Sequence, residues 1–188
     1  MEINNAFEVP LPPDEAWKVL MDIPRIAPCM PGAELTGVVD KDTYNGKVSV
    51  KLGPVALAFA GQVKFTEIDA AARKARAKAQ GRDAKGRGGA NASIDFQIAP
   101  AGQGSLVTVK TDLSLSGAVA QYGRASGLIQ DVASQLVGQF ATALKAQLAA
   151  VKAKEPQPPP PKPVSGFSLI FRALWNAFGR LFRAKSQA

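Results

Sequence analysis

Along the first two thirds of the chain apolar residues tend to fall at every second position, and in the last third the spacing lengthens to three and four. A period of two marks a half-buried strand, and a period near 3.6 marks an amphipathic helix. Residues 2–9, EINNAFEV, predict a strand with Ile3, Phe7 and Val9 on its apolar side. PPDEAWKVLMD follows; prolines and acids suit the vacant N–H groups and the dipole of a helix start. Trp17, Leu20 and Met21 share one face of this short helix. In IPRIAPCMPG, prolines at 24, 28 and 31 leave room for one or two helical turns only. The period of two then returns. Val48, Val50 and Leu52 alternate with Lys47, Ser49 and Lys51, and Val55, Leu57 and Phe59 alternate with alanines. Gly53-Pro54 between them predicts a hairpin. Ala92, Ile94, Phe96 and Ile98 make the next inner face, and Val107, Val109, Leu113 and Leu115 the one after, joined by a turn at 100–104. Such alternation suits antiparallel strands with one wet face.

The stretch ARKARAKAQ at 72–80 fits two templates. Its residues are good helix formers, yet Ala75, Ala77 and Ala79 alternate with Lys74, Arg76 and Lys78. Its place between two hairpins favours a strand. The inner side chains would then be methyl groups, which leave volume unfilled unless neighbours fill it. The basic outer face is either a solvated face or a docking surface for an acidic partner. From 118 to 151, Ile129, Val132, Leu136, Phe140, Ala143 and Leu144 recur at helical spacing. A helix of about 30 residues reaches about 45 Å. Gly123, Gly127 and Gly138 weaken it and allow a bend or a close approach to the sheet.

The end of the chain changes character. KEPQPPPPKPVSG cannot form a helix or a sheet interior, so it predicts an extended, solvated tether. At about 3.1 Å per residue, 155–165 would span about 30 Å. Beyond it, Phe167, Ile170, Phe171, Leu174, Trp175, Phe178, Leu181 and Phe182 form one apolar stripe, with Arg172, Arg180, Arg183 and Lys185 towards the other side. Arginines within the segment argue against spanning a bilayer, since a central arginine costs at least about 2.5 kcal/mol. Lying in the interface suits it, with the stripe in the acyl boundary and the cations on anionic head groups. Two other readings are a helix folded back as core and a helix docked in a partner's groove. The expected organisation is a domain at 1–151, a proline-rich linker at 152–165 and a basic amphipathic membrane-binding helix at 166–188.

Charge sharpens that division. The chain carries 23 Lys+Arg and 15 Asp+Glu, net +8. Residues 156–188 hold five of the basic residues and none of the acidic ones, so this short tail accounts for +5 of the excess. An anionic surface is the implied partner of the tail, and nucleic acid is a poor fit, because the cations accompany a greasy stripe. There is no histidine, which removes the usual neutral-pH base, the commonest metal ligand and the usual nucleophile dyads. The single cysteine, Cys29, lies in the apolar run IAPCMPG and reads as a buried, inert thiol. No Walker sequence is present, and GRDAKGRGG reads as a turn. The N-terminus lacks both a basic start and an apolar run, so a cytosolic protein is expected. A curved sheet wrapped on a long helix encloses a space of the kind that holds ligands.

DIPRIAPCMPGAE, KVSVKLGPVALAFAGQV, GGANASIDFQIAP and GAVAQYGRASGLIQDVASQLVGQFATAL, taken in this order, resemble the CoxG family, the G subunits of carbon monoxide dehydrogenase. That family belongs to the START-like, helix-grip superfamily of lipid-binding domains, and the resemblance covers roughly residues 1–150. It implies an α+β fold: a seven-stranded antiparallel sheet gripping a long C-terminal helix over an apolar cavity. It also implies a setting. Such proteins accompany molybdenum-containing carbon monoxide dehydrogenases and related hydroxylases. They are implicated in bringing the enzyme to the inner face of the cytoplasmic membrane and in handling quinone. The chain would then be an accessory with no catalytic residue, no metal and no covalent cofactor.

Three hypotheses follow. In the first, the cavity holds a quinone, menaquinone or ubiquinone, or another isoprenoid lipid, and the tail moors the unit to an anionic membrane. Candidate lining residues are Ile26, Met30, Leu57, Phe59, Phe65, Phe96, Leu113, Tyr122, Ile129 and Phe140. Each also reads as ordinary core. Tyr122 and Arg124 are placed to hydrogen-bond a quinone carbonyl. In this reading, changing Tyr122 or Phe140 weakens ligand retention without unfolding the domain. The second hypothesis is a membrane-anchoring scaffold for the dehydrogenase with a filled interior. The third is an enzyme, such as a cyclase or hydrolase; the missing histidine and the lack of paired carboxylates weigh against it.

Overall fold

In a computed structural model the residues described are 1–52, 55–124 and 126–154. The Gly53-Pro54 turn, the proline tether and the apolar-stripe segment at 166–188 lie outside them. Met1–Lys152 makes up one compact unit. It contains seven strands in one antiparallel sheet, ordered β1-β7-β6-β5-β4-β3-β2. These are β1 (Glu2–Val9), β2 (Ala33–Asp40), β3 (Thr43–Leu52), β4 (Val55–Asp69), β5 (Lys74–Asp83), β6 (Gly88–Ala101) and β7 (Gly104–Gly117). Three α-helices accompany them among the described residues: α1 (Pro13–Leu20), α2 (Ile23–Ile26) and α3 (Ser126–Lys154). Because β1 pairs with β7 and β2 lies on the opposite edge, α1 and α2 carry the chain from one side of the sheet to the other.

The sequence explains the local choices. Pro13 opens α1, Asp14 and Glu15 occupy its first turn, and Ala16, Trp17, Val19 and Leu20 are its buried side. Asp22 caps α2 by accepting a hydrogen bond from the Arg25 backbone N–H at 3.3 Å. The ambiguous 72–80 stretch contributes most of β5, with Ala75 and Ala77 buried. β2, with register shifts between Leu35 and Gly37 and between Val38 and Asp40, escapes the alternation pattern because two of its three half-buried positions are the small Ala33 and Gly37. A further irregularity sits between Phe65 and Glu67 in β4. Bulges of this kind bend and twist a strand. The long helix begins later than the predicted 118, since Ala118–Arg124 is 3-10 helix and α3 starts at Ser126. Gly127 and Gly138 face open space, so neither serves a close approach of helix to sheet.

The main core lies between the concave face of the sheet and the helices. Val9, Leu11, Trp17, Phe65, Ile98, Val107, Phe140 and Leu144 belong to it. Phe140 of α3 meets Phe7 of β1 edge to face at 5.6 Å. A smaller cluster, around Leu57 and Val119, closes the other end. There the carboxylate of Asp83 is buried. It accepts hydrogen bonds from the backbone N–H groups of Lys85 and Arg87 and from the Arg87 guanidinium, Nε at 2.8 Å. Arg87 in turn donates to the Ala56 carbonyl at 3.0 Å, which ties the β5–β6 turn to β4.

The Arg87 side chain, with the two backbone donors, holds the Asp83 carboxyl far below the usual carboxylate range. A depressed folded value means that the stabilisation is complete above the unfolded value, near 3.8, and drains away as pH falls from there. Asp83→Asn is therefore expected to lower Tm by several degrees at neutral pH. It should also flatten the loss of stability below about pH 4. Thermal melts by circular dichroism across the acid range check both.

Candidate functional site

A row of glycines creates the site. On the inner face, Gly46 of β3 is paired with Gly61 of β4, and Gly61 with Gly81 of β5. Ala90 of β6 continues the row opposite Gly81. The next row carries Ala79 opposite Ala92. Four strands thus present almost no side-chain volume at this level. Gly61 has no alternative, because a Cβ there would collide with the Gln80 carbonyl oxygen of the neighbouring strand. Glycine in a strand interior marks such a close approach of backbones.

The volume these side chains would fill is a cavity of about 520 Å³. Its walls are Ile23, Ile26, Ala27 and Met30 from α2 and the turn after it, Leu35 of β2, and Tyr44 and Val48 of β3. Phe59, Val63 and Phe65 of β4, Ile94 of β6 and Phe140 of α3 complete them. The polar residues at its boundary, Glu34, Asn45, Lys47, Gln62 and Gln80, sit at outward-facing positions of their strands. Among the described residues that line it, Tyr44 is the one inward residue with a hydroxyl. It donates to the Lys41 carbonyl at 2.8 Å, its ring stands edge to face on Phe65 at 6.3 Å, and burial pushes its ionisation up. These residues therefore offer contact and shape, with no inward charge. The volume lies within the ~300–1,000 Å³ of small-molecule sites.

Of the residues singled out in the sequence, Ile26, Met30, Phe59, Phe65 and Phe140 line this cavity. Leu57, Phe96, Leu113, Tyr122 and Ile129 are not among its lining residues. Leu57 is buried in the smaller cluster with Val119, and Tyr122 packs against that cluster. Phe96 sits between Trp17 and Phe65, at 5.7 and 6.5 Å, as core. Leu113 lies opposite Ala92 towards the β7 side, and Ile129 is buried near the start of α3. The Arg124 side chain is outside the described residues. Phe140 is also core, so truncating it would unsettle the fold as well as the cavity. The glycine row, Ala90 and Tyr44 escaped the sequence reading, and Ala92 was read as inward-facing but not as lining, because large apolar residues were sought. The alanines of β5 were the visible signal that the inner face is stripped.

Cys29 is buried, its thiol donates to Gln147 Oε1 of α3 at 2.9 Å, and desolvation raises its pKa. Gln147 also donates to the Arg25 carbonyl at 3.2 Å, fastening α3 to α2 beside the cavity. Among the described residues no three His, Cys, Asp or Glu side chains gather as metal ligands. Nor is any helix among them long and apolar enough to cross a membrane.

An open antiparallel sheet curved round a long C-terminal helix, with an apolar space between, defines the helix-grip, START-like class. A conserved protein from Geobacillus kaustophilus shares it, at TM-score 0.68 and 20% identity, over 80% of this chain and 96% of that one. Two further similar structures are a Thermus thermophilus protein (TM-score 0.57, 14% identity, 80% and 99% covered) and the Zhui aromatase/cyclase of Streptomyces sp. R1128 (0.56, 13%, 82% and 96%). The sequence profile of CoxG, the G subunit of carbon monoxide dehydrogenase, matches residues 6–149, and the chain belongs to that family. At these identities the solved structures speak for the fold alone. No individually curated sequence matches the chain.

Proposed function

We propose that this chain is a non-catalytic accessory protein that carries a quinone or similar isoprenoid lipid. It brings a molybdenum-containing carbon monoxide dehydrogenase, or a related hydroxylase, to the inner face of the cytoplasmic membrane, where electrons pass to the quinone pool. The observation that carries this reading is the cavity of about 520 Å³, walled by aliphatic and aromatic side chains and bounded by polar ones only at outward-facing positions. An isoprenoid chain is recognised by such contact, since it has no polar group to satisfy. Among the described residues that line the cavity there is no Ser, Thr, Cys or His, the usual nucleophiles and bases, which favours a carrier over an enzyme. Family membership favours carbon monoxide dehydrogenase as the partner. In this reading 1–151 is the carrier domain, 152–165 the tether and 166–188 the mooring, with its aromatic stripe and unbalanced positive charge meeting anionic lipid.

The test is to express residues 1–155, extract the folded protein with organic solvent and analyse the extract by mass spectrometry. A stoichiometric quinone or other isoprenoid lipid is the expected result. An empty extract from a host that contains quinones would leave a scaffold without a lipid ligand. The mooring has its own test. Deleting 156–188 is expected to abolish most cosedimentation with phosphatidylglycerol-containing vesicles; persistent binding would remove the tail from this role.

A further inference from the structure

Behind the glycine row, on the outer face of the sheet, stands a row of carboxamides. Asn45 of β3 is paired with Gln62 of β4, Gln62 with Gln80 of β5, and Gln80 with Asn91 of β6. Gln62 Nε2 donates to Asn45 Oδ1 at 3.2 Å. Cations flank the row on both sides. One neighbouring row holds Lys47 and Arg82, each opposite Ala60, and the other holds Lys64 directly opposite Lys78. Like charges directly opposed on one face destabilise a sheet. Among the described residues these four cations form no ion pair within 4 Å, although Glu34 stands opposite Lys47 and Lys64 helps to lower the pKa of Asp40. Towards the other edge the outer face is neutralised: Arg76 pairs with Asp95 at 2.6 Å, Lys110 with Glu2 at 3.0 Å, and Met1 with Asp112 at 3.4 Å. The bare Gly61, Gly81, Gly86, Gly88 and Gly89 border an outer trough of about 940 Å³ beside Arg82.

We propose that this trough and its flanking cations are the docking surface for an acidic patch on the partner dehydrogenase, an inference that rests on the partner assigned above. The carboxamides offer paired donors and acceptors to peptide edges and carboxylates. The cations supply steering and complementarity. A protein fits this surface better than a membrane. Among the described residues the exposed large apolar ones, Val38, Val39, Val63, Ile68, Leu128 and Val151, all lie outside these rows, so none of them would carry this face into the acyl region. The Lys64–Lys78 opposition costs the free domain stability and is relieved when anionic groups sit across it.

The experiment uses the full chain and immobilised carbon monoxide dehydrogenase, read by biolayer interferometry at about 0.15 M salt. The Lys64→Glu, Lys78→Glu, Arg82→Glu variant is expected to bind at least about tenfold more weakly, and wild-type binding to weaken with added salt. Lys64→Glu alone is expected to weaken binding with little change in Tm, because the new attraction to Lys78 offsets the lost attraction to Asp40. Equal binding by the triple variant and wild type would overturn the surface and leave the partner standing. A wild-type chain that does not bind the enzyme at all would overturn both. A triple variant that keeps the enzyme but loses phosphatidylglycerol vesicles would hand the surface to the membrane and overturn the proposal.

Discussion

Ala92→Phe is expected to expel ligand from the cavity and leave the domain folded. Ala92 lies on the inner face of β6, opposite Ala79, and lines the cavity where the sheet has least side-chain volume. A phenyl ring there points into space that no described side chain occupies. It needs no displacement of the main core, which is built round Phe65, Ile98 and Phe140. Lipid recovered per mole of protein should fall at least about tenfold, because the occupied and filled states exclude one another. The delipidated variant should melt above delipidated wild type, since filling an apolar void contributes about 0.5–2 kcal/mol. Phe140→Ala cannot make this separation. Truncating so buried an aromatic costs about 3–5 kcal/mol and confounds affinity with stability. Quantified extracts and melts of the two delipidated proteins decide the matter; unchanged lipid content in Ala92→Phe would place the ligand elsewhere.

The second large effect concerns backbone. Gly61→Ala adds one methyl group, yet it is expected to destabilise by about 3 kcal/mol, at the upper end of overpacking. The new carbon would meet the Gln80 carbonyl oxygen and the Gly81 Cα, which are main chain and cannot rotate away. Gly81→Ala is the internal control. Its Cβ would stand 3.3 Å from the Phe59 Cβ, a contact that a shift of a few tenths of an ångström relieves, so the loss should stay below about 1 kcal/mol. Urea titrations of both variants measure the difference. Equal losses would mean that the strands at Gly61 lie no closer than at Gly81.

How much of this was legible beforehand follows from what each residue does. Strands and the long helix announce themselves through period, because burial of one face selects Val48, Val50 and Leu57 at alternate places and Phe140 and Leu144 at helical ones. β2 was hidden because Ala33 and Gly37 stand at two of its three half-buried positions and give no apolar signal. The cavity was half legible. Ile26, Met30, Phe59, Phe65 and Phe140 are large and apolar, and they look alike whether they line a void or fill one. Tyr122 drew notice because an aromatic hydroxyl early in the helical run suggests a ligand contact; in the fold it packs against the cluster of Leu57 and Val119. What makes the space is absence of side chains at Gly46, Gly61 and Gly81. That alignment exists only once three strands are in register.

The same alignment leaves the cavity and the outer trough divided by a single peptide layer, with Asn45, Gly61, Gln62, Gln80 and Gly81 bordering both. The protein can therefore be made to report on its own contents. Cys29 is buried with its thiol pKa raised, so a maleimide dye would pass it over and label a cysteine introduced at Asn91, on the exposed side of the sheet. A fluorophore there would stand outside the ligand space yet only one strand's thickness from it. Its emission would follow loading and unloading in real time without touching the lipid.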